Sequence, residues 1–234
     1  MEQASSASPA VVGIKRALPI LLGYLPVGFA FGVLAVKNGI PPSVACAMSV
    51  LMFSGSGQLM FAGLWGAQAS SLSIIAAVGI VNLRYLLQSA AEAPWLTGLP
   101  RLQRFLLGLG LTDETFAVHV TALQKGWARN LTTLFVCNHL AQLGWVGGTV
   151  LGAFCGGLVH DVRPLGLDYA LPVMFLALLV LQCVSRLHVL VALFTLLLAC
   201  GLKYVGMTQW NIALATIIGA GLGALLVSRR EHHE

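Results

Sequence analysis

An amide and a guanidinium stand two residues apart inside the apolar run SLSIIAAVGIVNLRYLLQSAA, as Asn82 and Arg84. At about 1.5 Å per residue, roughly 20 residues cross the hydrocarbon core, so the run can span a membrane and both groups fall near its middle. A charged side chain there costs on the order of 3 kcal/mol, and it usually faces a bundle interior or a water-filled path. Arg84 therefore points to a transport pathway. The alternative is a tilted helix whose Arg84 snorkels to the interface.

Two acids and a broken apolar stretch supply complementary chemistry. Residues 43–64 contain Phe53-Ser54-Gly55-Ser56-Gly57-Gln58. Small residues at this density make a poor helix interior, since each Gly costs roughly 1 kcal/mol relative to Ala. An unwound segment would expose N–H groups and the hydroxyls of Ser54 and Ser56, which suit a carboxylate at the start of the resuming helix. The alternative is a small-residue packing face. Residues 104–126 are only moderately apolar and hold Thr112-Asp113-Glu114-Thr115 at their centre. They read as helix, break and amphipathic helix, with Thr112 as N-cap. Asp113 and Glu114 either complement the helix dipole or form a proton- or cation-responsive pair.

The elements that must position these groups are membrane helices. The chain is 58% hydrophobic and 9% charged, against about 25% charged for a soluble domain. It reads as one all-α polytopic membrane domain over 1–234, with polar tails at 1–14 and 228–234 and seven to eight spans, several broken by Pro or Gly. The net charge of +5 forms no block, so it signals topology and not nucleic-acid binding. The first residues lack a signal-peptide pattern. The five cysteines read as small buried hydrophobes, and no metal-ligand spacing occurs. There is no HExxH, GxSxG or nucleophile–base pair, so no catalytic residue is expected and an enzyme is disfavoured.

In chain order, residues 17–36 form a first span interrupted by Pro19 and Pro26. It is either a kinked helix or a discontinuous one, with carbonyls freed at Pro26 and Tyr24 beside them. Residues 130–159 form a long span with Asn138, His139 and Gln142, His139 being expected in the interior. Gly144, Gly148, Gly152 and Gly156 recur every four residues, a small-xxx-small stripe for a close helix or subunit contact. Asp168 opens a later span, where the helix dipole is its simplest explanation. Two further spans follow over 187–202 and 211–227. GYLPVGFAFGVLA and DYALPVMFLALLV resemble each other loosely, as do AAVGIVNLRYLL and ATIIGAGLGALL, the trace a three-span repeat would leave. With eight spans the cytoplasmic loops carry seven Lys/Arg against five outside; with seven spans and a cytoplasmic C-terminus the ratio is eight to four. The positive-inside rule does not separate the two.

PILLGYLPVGFAFGVLA, FSGSGQ, VNLRYLL, LTDETFAV and LDYALPVMFLALL occur in that order along nearly the whole chain. In these motifs the chain resembles the AzlC family, the large subunit of branched-chain amino acid exporters. It departs in Tyr85, where His is expected, and Tyr169, where Phe is common. The resemblance implies a multi-pass protein of the bacterial cytoplasmic (inner) membrane. It implies a secondary exporter of Val, Leu and Ile, and sometimes Met, that works with a small AzlD-type membrane subunit. No Walker A pattern and no cofactor motif is present. On this reading the substrate carboxylate meets Ser54, Ser56, Gln58 and Arg84, with Asn82 beside them. Its ammonium meets the carbonyls near Pro26 and Asp113 or Glu114. Tyr24, Phe29 and Phe53 line the side-chain pocket. Asp113, Glu114 and, third, Asp168 are the candidates for proton coupling. A channel or carrier for another small solute, or a structural membrane subunit, are the alternatives.

Overall fold

In the computed structural model, residues 8–124, 131–156, 185–206 and 211–231 are described, with single positions at 169, 173, 176, 179, 180 and 183. Asp168, and most of the span expected around it, lie outside the described residues. Every regular element among the described residues is helical. The chain divides into two units, Met1–Pro172 and Val173–Glu234.

The first unit opens with α1, Pro9–Lys37, one continuous helix with Pro19 and Pro26 inside it. The discontinuous alternative for this segment is therefore not what forms. Next come α2 (Pro42–Leu51) and α3 (Gly55–Gly66), separated by three residues that include the extended Met52. Then α4 runs over Ser71–Glu92 into a short turn of 3-10 helix, Ala93–Leu96. It is followed by α5 (Arg101–Leu109), α6 (Asp113–Gln124) and α7 (Leu131–Cys155). In the second unit α8 covers Arg186–Tyr204 and α9 covers Asn211–Glu231. Gly219 of α9 lies against Thr195 of α8. Among the described residues, four stretches are long and apolar enough to cross a membrane: α1, α7, α8, and α4 with its 3-10 turn.

The glycine stripe of α7 packs on α1. A Cβ on Gly144 would sit 2.8 Å from the Leu21 carbonyl oxygen. One turn on, Gly148 meets the Leu25 carbonyl, and Gly152 meets that of Phe29. From the other side Gly28 meets Trp145 and Gly32 meets Thr149. Residue numbers rise together on both helices, so α1 and α7 run parallel, backbone against backbone. Any side chain larger than hydrogen at these glycines would push them apart.

Depth along α1 shows what α2 and α3 do. α2 starts just beyond the C-terminal end of α1, where Ile40 N–H donates to the Ala35 carbonyl. Phe53, in the break, packs edge-on against Tyr24 at 5.9 Å. α3 then returns, and Asn38 donates to the Ala62 carbonyl at 2.9 Å. The two helices make a hairpin that enters and leaves at one end of α1, about 21 Å deep for the 14 residues between Tyr24 and Asn38. The crossing expected over 43–64 is thus a re-entrant pair of half-length helices.

α5 and α6 mirror this from the other end. Leu96, Leu107, Leu123 and Leu134 form one buried cluster near the start of α7. Gly110 lies against Asn138. Thr112 reaches Tyr24 at 2.8 Å. The second hairpin therefore enters beside the N-terminal ends of α1 and α7 and turns at residues 110–112. α4 runs antiparallel to α1 between the two hairpins.

His139 is exposed and its Nδ1 pairs with the Phe135 carbonyl, so it is not the interior group expected of it; Asn138 beside it is buried. Among the described cysteines only Cys137 is buried, and Cys200 is exposed. Helix phase decides both: α7 turns residues 138 and 139 about 100° apart.

Candidate functional site

Each hairpin tip is shaped by local chemistry. At the first, Ser54 caps α3, its hydroxyl accepting from Gly57 N–H at 3.3 Å and donating to Asn82 Oδ1 at 2.7 Å. Gln58 spans the break. Its Nε2 donates to the Met48 carbonyl at 3.0 Å and to that of Met52. Its Oε1 accepts from Ser49 at 3.2 Å and from the Trp145 indole at 2.8 Å. These four contacts use the full capacity of an amide, so Gln58 adds a second hydrogen bond to carbonyls that already accept from Met52 N–H and Ser54 N–H and ties the break to Ser49 and Trp145. A Cβ on Gly55 would sit 2.8 Å from the Trp145 ring, and one on Gly57 would sit 2.7 Å from Ser54 Oγ. Glycine is required there because the indole and the cap come so close.

At the second tip Thr112 caps α6, accepting from Thr115 N–H at 3.3 Å. Asp113 and Glu114 occupy the first turn, where the helix dipole favours them. Both also make contacts the dipole does not require.

Two side chains join the tips. Arg84 of α4 pairs with Asp113 Oδ2 at 2.6 Å, donates to Ser56 Oγ, and lies 3.1 Å from the Tyr85 hydroxyl. Tyr24 of α1 donates to Glu114 Oε2 and packs on Phe53 and Trp145. Arg84 lies 13 residues into the Ser71–Leu96 stretch, about 20 Å along it. It is 22% exposed, so it turns inward from the lipid side and does not snorkel out.

The structure thus brings together Tyr24, Ser54, Ser56, Asn82, Arg84, Asp113 and Glu114, with Gln58 one layer behind. Pro26 stands on an exposed part of α1, apart from these contacts. Of the expected pocket aromatics Tyr24 and Phe53 touch, whereas Phe29 meets the α7 glycines through its backbone.

Residues that sequence reasoning missed complete the site. Gln88, one turn beyond Arg84, donates to Asp113 Oδ1 at 2.6 Å. Arg84 Nε and Gln88 Oε1 are buried without a hydrogen-bond partner. One is a donor and the other an acceptor, which together match a zwitterion. Trp145 and the hydroxyl pair Ser49–Thr149 at 2.8 Å back the first tip. A second missed cluster lies two turns along α4, where Glu92 Oε1 meets His119 Nδ1 at 2.6 Å and His119 Nε2 meets Asn138 at 2.9 Å. The spacing of Arg84, Gln88 and Glu92, four residues apart on one helix face, was the available signal. Among the described residues no three metal-ligating groups converge.

Opposed hairpins meeting at a charged site between apolar helices define an all-helical membrane protein with a polar centre. Residues 19–159 match the family described as AzlC protein, and the chain belongs to the AzlC family. It is 29% identical to inner membrane protein YgaZ of Escherichia coli over 222 residues, 91% of this chain and 87% of that protein. An uncharacterized membrane protein of Archaeoglobus fulgidus is 33% identical over 211 residues, 88% of this chain and 90% of its own length. The branched-chain amino acid transport protein AzlC of Bacillus subtilis is 27% identical over 170 residues, 70% of this chain and 64% of that protein. No solved structure shows a significant match.

Proposed function

We propose that this chain is a secondary exporter of Val, Leu and Ile, and of Met, in the bacterial cytoplasmic membrane. It acts with a small AzlD-type subunit and is driven by the proton gradient. The observation that carries the reading is Arg84, set about halfway along an apolar stretch long enough to cross a membrane and between the two hairpin tips, with Nε unpartnered. The name of the Bacillus subtilis relative supplies the substrate class. The amino acid carboxylate takes Arg84 Nε and the Ser56 hydroxyl. Its ammonium takes Gln88 Oε1 and Glu114, and its side chain lies against Tyr24 and Phe53. Gln58 and Asn82 position the first tip.

Charge sets the orientation. Lys15, Arg16, Arg101 and Arg104 lie toward the N-terminal end of α1, and Lys37 lies at the other. Among the described residues this is four cations against one, which supports a cytoplasmic N-terminal end. The first hairpin then opens outward and the second inward.

The test loads cells with Leu- or Val-containing dipeptides and follows external amino acid, with this chain alone, with its partner, or with neither. Release that rises with expression and collapses with a protonophore supports the reading. Unchanged release in every arm, with both proteins in the membrane, refutes it.

A further inference from the structure

Glu92 and His119 are 3% and 0% exposed, yet neither belongs to the substrate site. Their hydrogen-bond geometry fixes how many protons they hold. Asn138 Nδ2 donates to the Leu107 carbonyl at 3.2 Å, which turns its Oδ1 toward His119 Nε2. An amide oxygen only accepts, so Nε2 carries a hydrogen. The 2.6 Å contact between His119 Nδ1 and Glu92 Oε1 must then contain a second one. The cluster is either imidazolium with carboxylate or imidazole with carboxylic acid, and both have one shared proton. Without it, the Nδ1 lone pair would face a carboxylate at that distance, and the two groups must separate.

The proton has a route. A groove of about 580 Å³ is lined by Glu92 and Ser89 of α4 and by Arg101, Arg104 and Phe105 of α5. It lies at the end of the first unit where Arg101 and Arg104 sit, so water reaches Glu92 from that face. Among the described residues, the charged and titratable groups nearest the pair are these two arginines from α5, Asp113 at the start of α6, Arg84 further along α4, and Arg16 of α1, which acts on Cys137 next to Asn138. α7 contributes the uncharged Asn138.

We propose that Glu92–His119, held by Asn138, is the proton-loading site of this transporter and acts by closing the seam between α4 and α6. The same two helices carry Arg84, Gln88 and Asp113, so a seam that opens when the proton leaves moves the substrate contacts directly. The step is a simple transfer: a proton taken up from the outer side joins the Glu92 oxygen–His119 Nδ1 pair, and the same proton leaves to groove water at the Arg101 and Arg104 end when the seam opens. This rests on the exporter reading above, and it places proton coupling at Glu92 and His119 and not at Asp113 or Glu114.

The experiment uses the chain reconstituted with its partner in vesicles. Leucine equilibrium exchange and pH-gradient-driven leucine accumulation are measured for wild type, Glu92→Gln, His119→Gln and Glu92→Asp. Exchange within about twofold of wild type, with accumulation down at least about tenfold and insensitive to pH in the two Gln variants, is expected. Glu92→Asp, which keeps the carboxyl, retains pH-dependent accumulation. Gln variants that accumulate leucine like wild type overturn the proposal while leaving the exporter reading intact. Wild type that exchanges no branched-chain amino acid refutes that reading instead. The proton site is then decided by pH-difference infrared spectra of the purified protein. A carboxyl or imidazole signal present in wild type and Glu92→Asp but missing from Glu92→Gln supports it, and identical spectra in all three overturn it. Those spectra also decide the matter if a Gln variant fails to transport because it is misfolded.

Discussion

Neutralising Arg84 and Asp113 separately and together distinguishes a substrate contact from a strut. At 2.6 Å and an effective dielectric of about 20, the gross attraction between the two charges is about 6 kcal/mol. Desolvation of both ions offsets much of this, so the pair adds little net stability. Removing one partner is different, because it strands the other charge, at a cost of about 3–5 kcal/mol. At about 2–4 °C per kcal/mol for a chain of this size, Arg84→Gln and Asp113→Asn should each melt at least about 6 °C below wild type. The double variant, with no charge to strand, should recover most of that loss. Transport should not recover. A hydrogen bond to a charged group contributes about 1.5–3 kcal/mol, so losing the guanidinium lowers leucine efflux at least about tenfold. The assays are thermal melting in detergent and leucine efflux from vesicles. A double variant that melts and transports like wild type would sink the substrate role of Arg84. A double variant as unstable as the singles would refute the stranded-charge reasoning.

Four further outcomes are expected. Gln88→Leu should weaken leucine binding about tenfold, read from competition in the exchange assay, because Oε1 is the acceptor offered to the ammonium. Gln58→Leu should speed amide hydrogen exchange over residues 48–58, because it strands the buried Trp145 indole N–H, at about 1–3 kcal/mol, and removes the side-chain tie across the break. Gly152→Ala should destabilise the fold by about 1–3 kcal/mol in a melting assay, since its Cβ meets the Phe29 backbone and not a side chain that can turn away. In a background without other cysteines, single cysteines at 38 and 70 should react with an impermeant thiol reagent applied outside cells, and one at 101 only after permeabilisation.

Local chemistry was legible in the sequence wherever a residue type has few uses. Serines and glycines at 54–57 announced a break, Thr112 before two acids announced a cap, and Arg84 in an apolar run announced a polar interior. Direction was not legible. Two half-length helices joined by a break have the same summed hydropathy as one full span. Residues 43–64 therefore read as a crossing, although Asn38 bonding back to Ala62 shows that they return. Glu92 was hidden because it precedes Ala-Pro at a helix end, where a surface acid is ordinary. His119 was hidden in a segment too polar to read as buried. Only the fold brings them together, across the seam whose α4 side is marked by Arg84, Gln88 and Glu92.

The clasp between α1 and α7 also limits where movement can occur. Two helices whose backbones touch at Gly144, Gly148 and Gly152 leave little side-chain bulk at those levels to re-pack. They can neither slide by a fraction of a turn nor splay without opening a void. Parallel and locked, they act as the fixed post of a revolving door. The leaves are the two hairpins, whose tips are held by hydrogen bonds to α4 and α1 and not to each other: Ser54 to Asn82, Ser56 to Arg84, Tyr24 to Glu114. A disulfide engineered across the post should leave transport running, and one joining α4 to α6 should stop it.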